Sequence, residues 1–209
     1  VEWTALGLAV ILLALNGFFV AAEFALLAAR RSRIEQLAAD GNKRAVSALA
    51  GIRELTLMLA GAQLGITMCS LGLGAVAEPA IAHLIEGALG GIIELSETTL
   101  HIIGFTLGLS LVVFLHMVVG EMAPKSWAIS DPERSSLLLA RPFRAFVRVF
   151  QPLIWFLNSL ANIVVRLVGV EPQDERAMAH SPADLILLLD ESKGHGDIKA
   201  EDHQLLTRS

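Results

Sequence analysis

Three apolar runs, each long enough to cross a bilayer, constrain this chain more than any other feature. A spanning helix needs about 20 predominantly apolar residues. Thr4 to Ala29 is one such run, broken only by Glu23. Leu55 to Ala77 is a second, uncharged between Glu54 and Glu78, and Thr98 to Gly120 is a third, uncharged between Glu97 and Glu121. The hydrophobic share of 54% exceeds the roughly 45–50% of a soluble domain, and the excess sits in these runs. The first run is too long for a signal peptide, lacks a basic start and has no small-residue cleavage site before Arg30. The pattern predicts an all-α membrane protein with three spans at about 4–29, 55–77 and 98–120. Cys69 is the only cysteine, so no internal disulfide is possible, and within its run it reads as a small hydrophobe.

Lysine and arginine placement sets the orientation. Arg30, Arg31, Arg33, Lys43, Arg44 and Arg53 lie between the first and second runs, whereas Glu78 to Glu97 holds no Lys or Arg. Lys125, Arg134, Arg141, Arg144 and Arg148 follow the third run. Basic segments therefore alternate, which predicts an inner (plasma) membrane, multi-pass protein with its N-terminus outside and its C-terminal tail in the cytoplasm. The net charge of −5 comes largely from the tail. No basic cluster with interleaved aromatics points to nucleic acid; the expected partners are membrane lipids.

Val149 to Val165 is apolar but carries Gln151, Pro152, Asn158, Ser159 and Asn162. This polar stripe favours a helix lying in the interface, with a fourth span as the alternative. Asp131-Pro132-Glu133 is a good helix start, and Arg134, Arg141 and Arg148 repeat every seven residues, a stripe suited to anionic headgroups. Interfacial helices are thus expected over about 131–168. From 171 to 209 an acidic segment carries nine Asp or Glu against four Lys or Arg. Within it, Ser181-Pro182 starts a helix and Gly194-His195-Gly196 ends it. The chain opens on Val1 and stops at Ser209 inside a helical pattern, which reads as a piece of a longer protein.

Three polar side chains sit at membrane depth. At a rise of about 1.5 Å per residue, Glu23 is about 10 Å from the basic surface, Gln63 about 13 Å and Glu121 about 6 Å. The spans run in different directions, yet all three residues land in the inner half. A membrane carboxylate costs roughly 2.5–3.5 kcal/mol even on the lenient insertion scale, so it needs a cation, a partner or a wet cavity. Pro124 cannot donate to the carbonyl of Gly120, which leaves an oxygen beside Glu121. Carboxylate, amide and carbonyl oxygens are hard ligands suited to magnesium or calcium. Thr67 and Ser70 could extend a polar path outward from Gln63. In the alternative reading Glu121 caps its span by pairing with Lys125, and Glu23 and Gln63 hydrogen-bond between helices. His116 reads as a packed, hydrogen-bonded histidine. Gly61-xxx-Gly65 and Gly104-xxx-Gly108 are close-packing signals that would suit a dimer seam or, at Gly61 and Gly65, local unwinding beside Gln63.

With Asn16-Gly-Phe-Phe-Val-Ala-Ala-Glu-Phe-Ala-Leu at 16–26, Gln63-Leu-Gly-Ile-Thr at 63–67 and Gly120-Glu-Met-Ala-Pro-Lys at 120–125, the chain resembles the CorC/HlyC family, bacterial relatives of the CNNM magnesium transporters. The resemblance implies a homodimeric domain of three spans with a belt of juxtamembrane helices, covering 1–170, followed by an acidic helical linker from 171. It further implies downstream nucleotide-binding CBS domains, which this chain lacks, so nucleotide would act only through those. The implied activity is magnesium (Mg2+) export driven by sodium (Na+) influx. Of the family's ion site, Glu121 matches the glutamate. The site's serine position falls on Val20 and its asparagine position on Ala62, so two expected side-chain oxygens are missing; a nearby second serine position falls on Ala22. The expected metal ligands here are Glu121, the Gly120 carbonyl, Gln63 and Glu23.

A magnesium transporter is therefore the leading expectation. The alternative is a membrane-anchored regulatory protein that responds to ions or nucleotides without transport. There is no His-Glu-x-x-His, no Gly-x-Ser-x-Gly and no membrane aspartate pair, so an enzyme is not expected. The topology predicts that a cysteine placed near Ala88 is labelled from outside and one near Gly41 or Glu175 is not. Labelling at Glu175 from outside would instead make 149–165 a fourth span.

Overall fold

The computed structural model describes residues 2–91 and 96–167, and every regular element among them is helical. The elements are α1 (Glu2–Ala28), α2 (Arg31–Ala39), α3 (Lys43–Arg53), α4 (Leu55–Gly90), α5 (Glu97–Leu115), a π-helical segment (His116–Met122), α6 (Ala123–Ser130) and α7 (Pro132–Leu167). The chain divides into two compact units, 1–157 and 158–209. Of the second only the end of α7 is described, and the features expected in the acidic tail lie outside the described residues.

Among the described residues four stretches are long and apolar enough to cross a membrane: α1, α4, the stack from Glu97 to Ser130, and α7. The sequence reading counted three spans and placed 131–168 at the interface. A single helix does cover that region, and by length and apolar content it too could cross. The helices also run on past the expected spans. α4 does not stop at Ala77 but continues through Pro79 to Gly90, about 54 Å of helix against a hydrocarbon core of about 30 Å. Pro79 removes one backbone hydrogen bond, but the turns beyond it are held by α5: Gly104 and Gly108 let that helix close onto Ala82 and Glu86. Nor does the third run end at Gly120. It passes through the π-helical segment directly into α6.

Between α1 and α4, a short hairpin is set by local chemistry. Gly41 takes a positive φ of 86°, which glycine alone adopts without cost. Asn42 then caps α3 by accepting from the backbone N–H groups of Arg44 and Ala45. At the other end of the belt, Arg30 Nε donates to Glu133 Oε1 at 2.8 Å, tying the end of α1 to the start of α7. That hydrogen bond, and then the carboxylate charge, hold Arg30 above its ordinary pKa.

The main core joins α1, α3, α4 and α7 through Phe19, Ala22, Leu26, Ala48, Met58, Ala62, Phe143 and Val147. In lipid there is no hydrophobic drive between helices, so close van der Waals contact must hold them. The glycines supply it. A Cβ at Gly61 would stand 2.5 Å from Val147 Cγ2, and one at Gly65 would stand 2.7 Å from the Phe19 ring. α4 is continuous there, so these glycines serve close approach and not unwinding. Gly104 and Gly108 are likewise covered within the chain. The four glycines read as a dimer seam are thus engaged internally, because their missing side chains are filled by neighbouring helices.

Gly65→Ala is expected to cost about 1–3 kcal/mol by overpacking against the buried Phe19, read as a lower melting temperature in detergent. Gly74, with nothing within 4 Å of its would-be Cβ, is the control, and Gly74→Ala should leave the melting temperature unchanged or slightly higher.

Candidate functional site

The three polar residues picked out by depth converge. Glu23 from α1, Gln63 from α4 and Glu121 from the π-helical segment line one cavity of about 320 Å3, together with Val20, Phe24, Ile66 and Lys125. Their spacing along antiparallel helices brings this about: each lies a few turns from the same basic surface. With both carboxylates ionised and Lys125 protonated, the walls carry one net negative charge. Lys125 does not pair with Glu121; its Nζ sits 4.4 Å over the Phe24 ring, a cation–π contact. Glu121 turns instead to His116, with Oε1 3.0 Å from Nε2. The reading of His116 as a packed, hydrogen-bonded histidine fits this contact.

Behind Glu121 lies a polar network that sequence reasoning did not single out. Asn16 is fully buried. Its Nδ2 donates to the Gly120 carbonyl at 2.9 Å, and its Oδ1 accepts from the Ser70 hydroxyl at 3.3 Å. Ser70 Oγ is also 3.4 Å from His116 Nε2. The expected free oxygen of Gly120 is therefore engaged by Asn16, which leaves it one lone pair for any other ligand. The logic begins with Pro124. Its ring would clash with the carbonyl four residues back, that of Gly120. A helix that takes on an extra residue per turn ahead of the proline avoids the clash, and the N–H of Ala123 accordingly bonds five residues back to Val118. Such π segments are frequent at functional sites. Asn16 stands within the motif at 16–26, and an amide at membrane depth is the signal by which it could have been found.

The positions where the resembled family carries oxygens separate here. Val20 lines the cavity, whereas Ala22 and Ala62 are closed in the main core. Among the described residues no three His, Cys, Asp or Glu side chains cluster to hold a metal. A divalent ion in this cavity would rely on Glu121, with Glu23, the Gln63 amide, backbone carbonyls and retained water completing its shell.

The fold and cavity define a multi-pass membrane protein with a polar, carboxylate-bearing chamber between its helices. The profile of the cyclin M transmembrane N-terminal domain matches residues 7–202, and the chain belongs to this CNNM family. It is 44% identical over 202 residues to the uncharacterized protein Rv1841c of Mycobacterium tuberculosis, covering 97% of this chain and 57% of that protein. Against the UPF0053 protein YhdT of Bacillus subtilis the identity is 41%, over 95% of this chain and 43% of the relative. For YhdP of the same organism it is 38%, over 96% and 45%. The chain thus spans about half the length of the curated relatives it matches.

Asn16→Ala should leave the Gly120 carbonyl and the Ser70 hydroxyl short of partners in a site without water, at a cost of about 1–3 kcal/mol. Thermal unfolding in detergent checks this against Ser110→Ala, whose exposed hydroxyl bonds only to its own helix and whose loss should be nearly silent. Equal melting temperatures for the two variants would show that the network does not stabilise the fold.

Proposed function

We propose that the chain is the membrane part of a divalent-cation transporter that exports magnesium, coupled to sodium influx, with its N-terminus outside and its tail in the cytoplasm. The observation that carries this reading is the meeting of Glu23, Gln63 and Glu121 from three helices in one cavity. Carboxylates at membrane depth mark ion pathways, and hard oxygen donors select magnesium or calcium over softer metals. Magnesium dehydrates reluctantly and takes six oxygens at about 2.0–2.1 Å. A site with one principal carboxylate and retained water binds it loosely enough to release it, as transport requires. Lys125 in the same wall is a tethered positive charge that an entering cation must displace or share. Sodium coupling and a homodimer rest on the family resemblance; the glycine faces no longer speak for the dimer.

The competing reading is a membrane-anchored regulatory protein that binds ions or nucleotides without moving them. Val20 and Ala62 favour it, since neither offers a side-chain oxygen.

Ion flux separates the two. In the full-length protein reconstituted in vesicles, magnesium efflux should be abolished by Glu121→Gln, which keeps the shape and removes the charge. Glu23→Gln should match it if Glu23 is a ligand and fall short if Glu23 is structural. Parent-like efflux in Glu121→Gln would refute the site, and a parent that binds magnesium without moving it would favour the regulator.

A further inference from the structure

A second polar cavity lies away from the one described above. It measures about 120 Å3 and is lined by Glu54, Leu57 and Met58 at the start of α4 and by Arg144, Val147, Arg148 and Gln151 of α7. Packing does not account for its charges. The Arg144 side chain is only 20% exposed, and its closest carboxylate, Glu54 Oε2, stands 4.0 Å from Nη2, at the outer limit of an ion pair. Arg144 Nε is buried with no hydrogen-bond partner. A guanidinium this desolvated is costly unless it is paired and hydrogen-bonded. Arg148 adds a second positive charge and Gln151 an amide, against the single charge of Glu54, so the cavity is net positive.

We propose that this cavity binds the headgroup of an anionic phospholipid, with Arg144 and Arg148 holding the phosphate and Gln151 donating an additional hydrogen bond. The planar fork of arginine suits bidentate phosphate contact. Its surroundings select a lipid over a free anion. The lining begins at Glu54, where the charged end of the α2–α3 hairpin gives way to the apolar run of α4. On α7, Trp155 follows Arg148 and Gln151 at helical spacing, on the same face. Trp155 is 72% exposed, and Val149, Leu153 and Phe156 of the same helix are exposed as well. Arginines followed by an exposed tryptophan and aliphatic side chains reproduce the gradient from headgroup to acyl chain.

The test uses the full-length protein in detergent, titrated with phosphatidylglycerol, with phosphatidylcholine and with inorganic phosphate. Retained lipid is counted by native mass spectrometry and binding is followed by thermal unfolding. Phosphatidylglycerol should be retained and should raise the melting temperature, phosphatidylcholine much less, and inorganic phosphate not at all. Arg148→Gln should weaken phosphatidylglycerol binding about fivefold, the factor for one basic contact at an anionic surface, and Arg144→Lys, which keeps the charge and loses the bidentate fork, should weaken it less. Arg134→Gln, on the same helix but outside the cavity, should not. Arg148 is exposed, so its variant reports on binding even if Arg144→Lys fails to fold. Parent-like retention in Arg148→Gln, or equal retention of the two lipids, would overturn the proposal. Stabilisation by inorganic phosphate alone would overturn it in favour of a free-anion site.

Discussion

A carbonyl that loses its helical partner at membrane depth must find another donor, and in this chain the donor is Asn16. Pro124 supplies no N–H for Gly120, and the bilayer supplies no water. The buried amide of Asn16 closes that gap from a helix more than a hundred residues away in sequence. In doing so it fixes the π-helical segment against α1, and its other end reaches Ser70 on α4. Three helices are thereby registered at the one level where their polar side chains meet. Glu121 leaves this junction with His116 on one side and the cavity on the other, so the element that repairs the backbone also aims the carboxylate.

Close packing makes that registration possible. Gly65 lets the Phe19 ring lie against α4, and Phe19 in turn packs on Phe146, the rings tilted by 53° with centroids 4.6 Å apart. Gly17 brings α1 near Pro124, where a Cβ would stand 3.0 Å from the proline ring, and Ala21, Ala25 and Ala128 close the neighbouring seam. Small residues thus bring the backbones near enough for an asparagine side chain to bridge them, in a solvent that gives helices no other reason to associate.

Much of this was legible in the sequence because membrane depth is a one-dimensional measurement. Counting residues from the basic loops placed Glu23, Gln63 and Glu121 in the same half of the membrane, and the cavity they share follows once the helices are side by side. What counting cannot supply is azimuth. It does not tell which faces of two helices meet, so Gly61, Gly65, Gly104 and Gly108 read equally well as a seam between copies or within one chain. The role of Asn16 depends on the same missing angle. The continuation of α4 beyond the apolar run was hidden for another reason: Glu78 and Pro79 end the run without ending the helix, since α5 supports the turns beyond them. The widened turn before Pro124 was hidden because the residue pattern records the missing hydrogen bond and not how the backbone accommodates it.

The central claim is that Glu121 faces a cation in the cavity it shares with Glu23 and Gln63. The most direct measurement is a density map of the full-length protein in saturating magnesium, repeated with manganese for its anomalous signal. A magnesium ion is expected about 2.0–2.1 Å from a Glu121 carboxylate oxygen, with water and carbonyl oxygens completing its shell. An ion bound elsewhere in the membrane domain, with Glu121 still hydrogen-bonded to His116 and no density in the cavity, would contradict it.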